Sequence, residues 1–255
     1  MEAMIFAAGI GSRLRPFTLT HPKALAPVAG VPSIRRCMEY LRKGAGVSHA
    51  VVNIHHFPEQ IKDYVDENPM PGLDITFADE SRQLLDTGGG LLAAATLFLD
   101  PGSPIILHNA DIVTDAPIMD MADSFANDDT DVLLLVDTGR SSSRTFWIDK
   151  NDHRLAGWSD SRNGGSKPEG FHPDPARHIP VAFNGIHIVD LRRLLPVLKD
   201  YARQEGPVFS LTPFYLWAIG KGLSVKGYIP NQPYRWHDIG TPEKLDAASH
   251  DFNGE

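Results

Sequence analysis

The segment "AAGIGSRLRPFTLTHPKAL" places Gly9 and Gly11 ahead of three cations, Arg13, Arg15 and Lys23, which stand two, four and twelve residues beyond Gly11. Glycine lets main-chain N–H groups approach a ligand closely, arginine grips phosphate oxygens with a planar fork, and lysine supplies a point charge. Taken alone, the segment reads equally well as a tight turn with solvated cations. Two carboxylates widen the chemistry: Asp111 closes "IILHNADIV", and Asp238 precedes a Gly-Thr-Pro turn in "YRWHDIGTPEKL". Each aspartate by itself is an ordinary cap or turn residue. Brought together beside a phosphate loop, they suit Mg²⁺, which takes one or two carboxylates and completes its shell with substrate phosphates and water. In "LLDTGGGLLAAA", Thr87 and the glycines 88–90 precede a helical run. Three successive glycines are costly in backbone entropy and mark either close main-chain approach to a ligand or a flexible turn.

The histidines add less. His55 and His56 are adjacent on a strand, point to opposite faces and lack an H-E-x-x-H frame. His108 and His237 neighbour the two aspartates and are candidates for orienting them. Two familiar phosphate fingerprints fail: G-x-G-x-x-G needs glycine where Leu14 stands, and G-x-x-x-x-G-K-[ST] has no match. A dehydrogenase and a P-loop NTPase are therefore unsupported.

These residues need elements to hold them. Short apolar runs alternate with amphipathic stretches through the first half: "AMIFAA", "HAVVNI", "LDITFA" and "PIILHN" as strands, with "PSIRRCMEYLRKGAG", "PEQIKDYVDEN" and "LLAAATLFL" as helices. That alternation predicts β-α-β units and an α/β fold with a mostly parallel sheet. After "DVLLLV" come "RTFWID", "HRLAGW" and "VAFNGIHIV" without helices between them, which predicts a small antiparallel extension. The Gly- and Pro-rich stretch 159–178 reads as a mobile surface loop or a lid. "LRRLLPVLKDYARQ", "LTPFYLWAIG" and "PEKLDAASH" read as helices around a strand "LSVKGYI". With no repeat and no linker, the expectation is one domain over 1–255, divided into a parallel-sheet half at 1–137 and a half at 138–255 that carries the antiparallel extension.

The chain has 255 residues, 42% hydrophobic and 22% charged, with a net charge of −8. Such a balance offers no field for nucleic acid or an anionic bilayer, so phosphate recognition must be local. Cys37 is the only cysteine, which rules out an internal disulfide and a Cys-based zinc site. No run approaches the roughly 20 apolar residues of a membrane span. The start, "MEAMIFAAG", lacks a signal peptide's basic and apolar regions, so a cytoplasmic location is expected.

At this point the chain resembles the sugar-1-phosphate nucleotidyltransferases, a family with a GT-A-like, Rossmann-like three-layer core. Its opening motif, AAG-x-G-x-R-x-x-P-x-T followed by P-K, is matched by "AAGIGSRLRPFTLTHPKAL", and the likeness continues through "LDTGGGL", "HNADI", "FNGIHI" and "WHDIGTPEKL". "TGGG", in place of a commoner G-T-A-G, is similar to the N-acetylmuramate-1-phosphate uridylyltransferases. The resemblance implies that Ala8, Gly9, Gly11, Thr87, Gly88 and Asn109 hold the nucleotide. It further implies that Arg13 meets the triphosphate, that Lys23 bridges the reacting phosphates, and that Asp111 and Asp238 hold Mg²⁺, with Arg13, Lys23 and Asp111 as the catalytic set. Asn184, Gly185 and Asp86 would face the sugar. Arg15 falls on a variable position of the motif and is the dispensable cation. An E-K-P segment common in the family is missing near "LAGWSDSRN", where Trp158, Ser159 or the following loop would substitute. The short run after "TPEKL" is read as leaving no room for an appended C-terminal β-helix.

The implied partners are an NTP, with UTP favoured, and a sugar-1-phosphate, with N-acetylmuramate-1-phosphate first, acting on a monomer or homodimer. Guanylyl transfer to mannose-1-phosphate, or transfer to another hexose-1-phosphate or to phosphocholine, keeps the chemistry and changes the substrate. A non-catalytic nucleotide-sugar-binding subunit is the alternative of a different class. "NADIVTD" is not the D-x-D of a glycosyltransferase.

Overall fold

A computed structural model describes residues 1–100 and 102–254. The chain opens with β1 (Glu2–Phe6), β2 (Pro27–Val28), β3 (Val31–Pro32) and α1 (Ser33–Ala45). β4 (His49–Ile54), α2 (Pro58–Glu67), β5 (Asp74–Asp79) and α3 (Asp86–Ala94) follow. β6 (Ile105–Asn109), β7 (Ile112–Thr114), α4 (Ile118–Ala126) and β8 (Val132–Asp137) complete the first half. The second half holds β9 (Arg144–Asp149), β10 (Leu155–Asp160), β11 (Gly165–Lys167) and β12 (His178–Val189). It closes with α5 (Leu191–Glu205), α6 (Leu211–Ala218), β13 (Val225–Tyr228), β14 (Trp236–Asp238) and α7 (Pro242–Asp251).

β6, β1, β4 and β5 are parallel neighbours, and β1 is buried along its whole length. A strand covered on both faces must be apolar on both, and β1 obeys: Ala3 and Ile5 join one core with Ile34, Met38 and Leu41 of α1, while Met4 and Phe6 join the other with Leu91 of α3 and Leu198 of α5. Helices on each side of one sheet make the expected three layers. β12 then runs antiparallel to β6 and β8 in this sheet and to β9 in the extension, so one long strand ties the two regions together. Its pairing with β8 slips between Phe183 and His187, and Gly185 there takes φ 77°, a left-handed conformation that a side chain would strain.

Three expectations are revised. The glycine triplet does not precede a helix but lies within α3. A Cβ at Gly88 would stand 2.4 Å from the Phe209 ring, and one at Gly89 2.1 Å from the Pro207 carbonyl oxygen, so the close approach they permit is to the chain itself. The stretch 159–178 forms β11 and turns back so that the Phe171 ring fills the space a Cβ of Gly157 would take, 2.7 Å away. Helix α4 was not anticipated, although Ile118, Met121, Ala122 and Phe125 recur at helical spacing and are buried. Among the described residues no helix is long and apolar enough to cross a membrane.

Candidate active site

The carboxyl ends of β1, β4 and β6 lie side by side, with Phe6 level with both Asn53 and Asn109. As the chain leaves β1, the Ala7 N–H donates to Asn53 Oδ1 at 2.8 Å, which fixes the exit direction. Gly9 faces open space: a Cβ there would meet nothing within 4 Å. Gly11 serves another purpose. It takes φ 65°, its carbonyl accepts from Thr18 Oγ1 at 2.8 Å, and a Cβ would sit 2.9 Å from both Thr18 Cγ2 and Lys23 Cβ. The loop thus folds back and delivers Lys23 to Asp111, with which it forms an ion pair.

Asp238 arrives from the far end of the chain. β14 pairs antiparallel with β7, setting Asp238 opposite Ile112, and Ile239 N–H donates to the Asp111 carbonyl at 3.0 Å. Asp238 also forms an ion pair with Lys244 of α7 and accepts from Gly240 N–H at 2.8 Å. Burial pushes the Asp238 carboxyl up, but the Lys244 hydrogen bond and charge, the Gly240 N–H and the charge of Lys23 outweigh it and hold the group below its ordinary value. Lys23 thus pairs with Asp111, and its charge is also felt at Asp238. The Arg13 guanidinium lies over the same turn, 3.1 Å from where a Gly240 Cβ would be. Among the described residues no cluster of three or more His, Cys, Asp or Glu could cage a metal. Two carboxylates alone fit an ion that draws its other ligands from phosphate and water.

Two cavities meet here. The smaller, about 440 Å³, is walled by Ala8, Gly9, Lys23, Thr87, Asn109 and Asp111, with Leu84 and Val208 as apolar jaws. The larger, about 740 Å³, holds Arg13, Asp111, Asp238, Asn184 and Gly185, and is closed by the extension through Phe146, Trp158 and Asp160. Asn109 and Asp111 line both.

Several residues are placed differently from the sequence-based expectation. Asp86 lines the smaller cavity rather than the one with Asn184 and Gly185, and its Oδ2 accepts from Ser210 Oγ at 2.5 Å. Gly88 is buried, and its N–H donates to the Phe209 carbonyl at 2.8 Å, so it offers no donor to a nucleotide. Asn184 is fully buried: its Oδ1 accepts from Arg140 at 2.6 Å, its Nδ2 donates to the Tyr234 hydroxyl at 2.6 Å, and its carbonyl accepts from Trp236 Nε1 at 2.8 Å. Its side chain builds the wall instead of reaching into the cavity. Gly185 keeps the space a Cβ would take 2.9 Å from Asn109 Nδ2.

His237 Nε2 bonds Asp251 at 2.7 Å, and so does not orient Asp238. His108 is buried with Nδ1 2.9 Å from the Asn109 carbonyl, and burial carries its pKa down to about 4. Ser159 accepts from Trp147 Nε1 at 2.9 Å, whereas Trp158 does line the larger cavity. Arg140, Arg144, Arg162 and Lys167 line it too and were not singled out. Lys167-Pro168, a K-P pair on the strand that returns beside "LAGWSDSRN" and sets Lys167 opposite Trp158, is the signal that was available.

The same architecture occurs in HddC from Yersinia pseudotuberculosis, solved with GMP-PN, at a TM-score of 0.74 and 22% identity over 99% of both chains. The fold is thus a mixed α/β one, with a central, mostly parallel sheet and antiparallel strands. A family model, nucleotidyl transferase, matches residues 2–146, and the chain belongs to that family. It is 28% identical to an N-acetylmuramate alpha-1-phosphate uridylyltransferase of Caulobacter vibrioides, over 96% of this chain and 94% of that protein. It is 36% identical to a mannose-1-phosphate guanyltransferase of Kluyveromyces lactis, over 48% of this chain and 34% of that one.

Proposed function

We propose that this transferase joins a nucleoside triphosphate to a sugar-1-phosphate, releasing pyrophosphate, with UTP and N-acetylmuramate-1-phosphate as the favoured pair. The observation that carries the reading is the Lys23–Asp111 ion pair at the junction of two cavities, with Asp238 alongside. The nucleotide would occupy the smaller cavity, its base between Leu84 and Val208 and over the open face of Gly9. The sugar-1-phosphate would occupy the larger one. A phosphate oxygen of the sugar attacks the α-phosphorus, a new P–O bond forms, and the bond to the β-phosphate breaks, its electron pair leaving with pyrophosphate. The nucleophile is already ionised, so no strong base is required, and catalysis rests on alignment and neutralisation of charge.

Lys23 would neutralise charge on the reacting phosphates, and Arg13, which has no ion-pair or hydrogen-bond partner among the described residues, would grip the leaving pyrophosphate. Asp111 and Asp238 would hold Mg²⁺, which when bound supplies Lewis-acid stabilisation of phosphate oxygens. The near full-length likeness to the uridylyltransferase supports UTP and the muramate substrate. The half-length likeness to the guanyltransferase keeps GTP with mannose-1-phosphate as the second reading. Replacing Asp111→Asn should lower pyrophosphate release about 10²–10³-fold and abolish its response to Mg²⁺; an unchanged Mg²⁺ titration would place the metal elsewhere.

A further inference from the structure

In the sheet β4 lies between β1 and β5, so the turn that leaves it sits between the loops that leave those two strands. Its first residues, His55 and His56, reach one loop each. His56 Nε2 lies 3.0 Å from the Thr18 carbonyl, and His55 Nδ1 lies 2.7 Å from the Glu80 carbonyl. A carbonyl only accepts, so each contact requires the proton on the nitrogen that makes it, Nε2 in His56 and Nδ1 in His55. Adjacency, which makes the pair poor at sharing a ligand, suits it to gripping two loops at once. Neither ring lines the smaller or the larger cavity.

The two acceptors belong to the two lips of the smaller cavity. Thr18 is 4% exposed and stands between Gly11 and Lys23, and its hydroxyl donates to the Gly11 carbonyl at 2.8 Å. Gln60 of α2 adds a donor to the Thr20 carbonyl at 2.9 Å, so the loop that delivers Arg13 and Lys23 is pinned from outside by His56 and α2. Glu80, also 4% exposed, organises the other lip. Its Oε2 accepts from Leu85 N–H at 2.9 Å, its Oε1 from Asn53 Nδ2 at 2.8 Å, and its carbonyl from Gln83 N–H at 3.0 Å as well as from His55. Leu84, Asp86 and Thr87 follow it and line the cavity. With both acceptor residues so buried, water is a poor replacement for a lost imidazole donor.

We infer that His55 and His56 are positioning residues that brace the two lips independently, His56 the phosphate-handling loop and His55 the lip that clasps the base. The inference rests on the nucleotidyl-transfer reading and gives the two neighbours different kinetic signatures. Without His56, Lys23 and Arg13 are misplaced in the transition state and kcat falls; without His55, a surface that holds substrate and transition state alike is loosened and KM for the nucleotide rises. The variants are His56→Leu and His55→Leu, with His56→Gln and His55→Asn as rescues whose amide N–H groups stand near the Nε2 and Nδ1 positions. With UTP and N-acetylmuramate-1-phosphate, His56→Leu should lower kcat about tenfold at a KM within about twofold, and His55→Leu should raise KM for UTP about tenfold at a kcat within about twofold. Each amide variant should return to within about threefold of the wild type. Hydrogen exchange, read peptide by peptide, should rise within 7–25 alone in His56→Leu and within 80–86 alone in His55→Leu. The same parameter changed in both leucine variants, exchange raised in both lips together or in neither, or an amide no better than leucine would overturn the inference. The exchange pattern needs no turnover. A wild type that releases no pyrophosphate with any NTP but shows the divided exchange defeats the reaction reading alone, and turnover with undivided exchange defeats the brace alone.

Discussion

Three cations share one loop, and their surroundings assign them different work. Lys23 is held between the loop and Asp111, Arg13 lies over the Asp238 turn, and Arg15 is exposed with no partner among the described residues. Lys23→Ala should cut turnover about 10²–10³-fold with circular dichroism unchanged, and Arg13→Ala should cost a similar factor. Arg15→Ala should leave kcat/KM within about twofold. Comparable losses at Arg13 and Arg15 would show that the loop acts as an undifferentiated positive patch. Much of this site was readable from residue types, because Gly9, Gly11, Arg13 and Lys23 sit in one local run whose spacing survives folding. Asn184 and Asp86 were placed less well. Whether a side chain faces a cavity or a neighbouring side chain depends on a bulge in β12 and on Ser210, and neither relation is written in local spacing.

At the level of elements, the glycine triplet carries the clearest lesson. Sequence alone left ligand approach and a flexible turn both open, and neither describes α3, where Gly88 and Gly89 let the helix press against the 207–209 backbone. Gly89→Ala should therefore destabilise the fold by about 2–3 kcal/mol, the cost of overpacking, seen as a lowered urea midpoint at unchanged slope. A raised KM for the nucleotide with full stability would restore the ligand reading. The strands and helices of the parallel half were legible because each buried face declares its period. α4 was missed because "NADIVTDAPIMDMADSFANDD" mixes acidic residues with its apolar positions, and the stretch 159–178 because its order comes from Phe171 docking on Gly157 rather than from local composition.

Across the whole molecule, two histidines buried on opposite faces of the sheet link folding to pH. Burial carries His108 down to about 4 and, helped by the charge of His108, His187 to about 3. Both folded values lie below the ordinary 6.5, so the unfolded chain binds more protons in acid. Stability should be complete above pH 6.5 and decline as pH falls towards 4, by ~3 kcal/mol for each histidine at the lower limit. Urea midpoints measured between pH 7 and 4 would show this; a flat profile would mean that one or both imidazoles stay hydrated. The same large-scale layout makes two cavities meet at Asn109 and Asp111, one built by the parallel strands and one by the extension and the returning β14, and the proposed reaction would take place there.

The central claim is that these two cavities align a nucleotide and a sugar-1-phosphate around Lys23, Asp111 and Asp238. Pyrophosphate release, measured for each of the four NTPs against N-acetylmuramate-1-phosphate, glucose-1-phosphate and mannose-1-phosphate, tests it most directly. Release should be greatest for UTP with N-acetylmuramate-1-phosphate, should require Mg²⁺, and should be lost in Lys23→Ala. No release from any pair, or release that Lys23→Ala leaves untouched, would contradict the account.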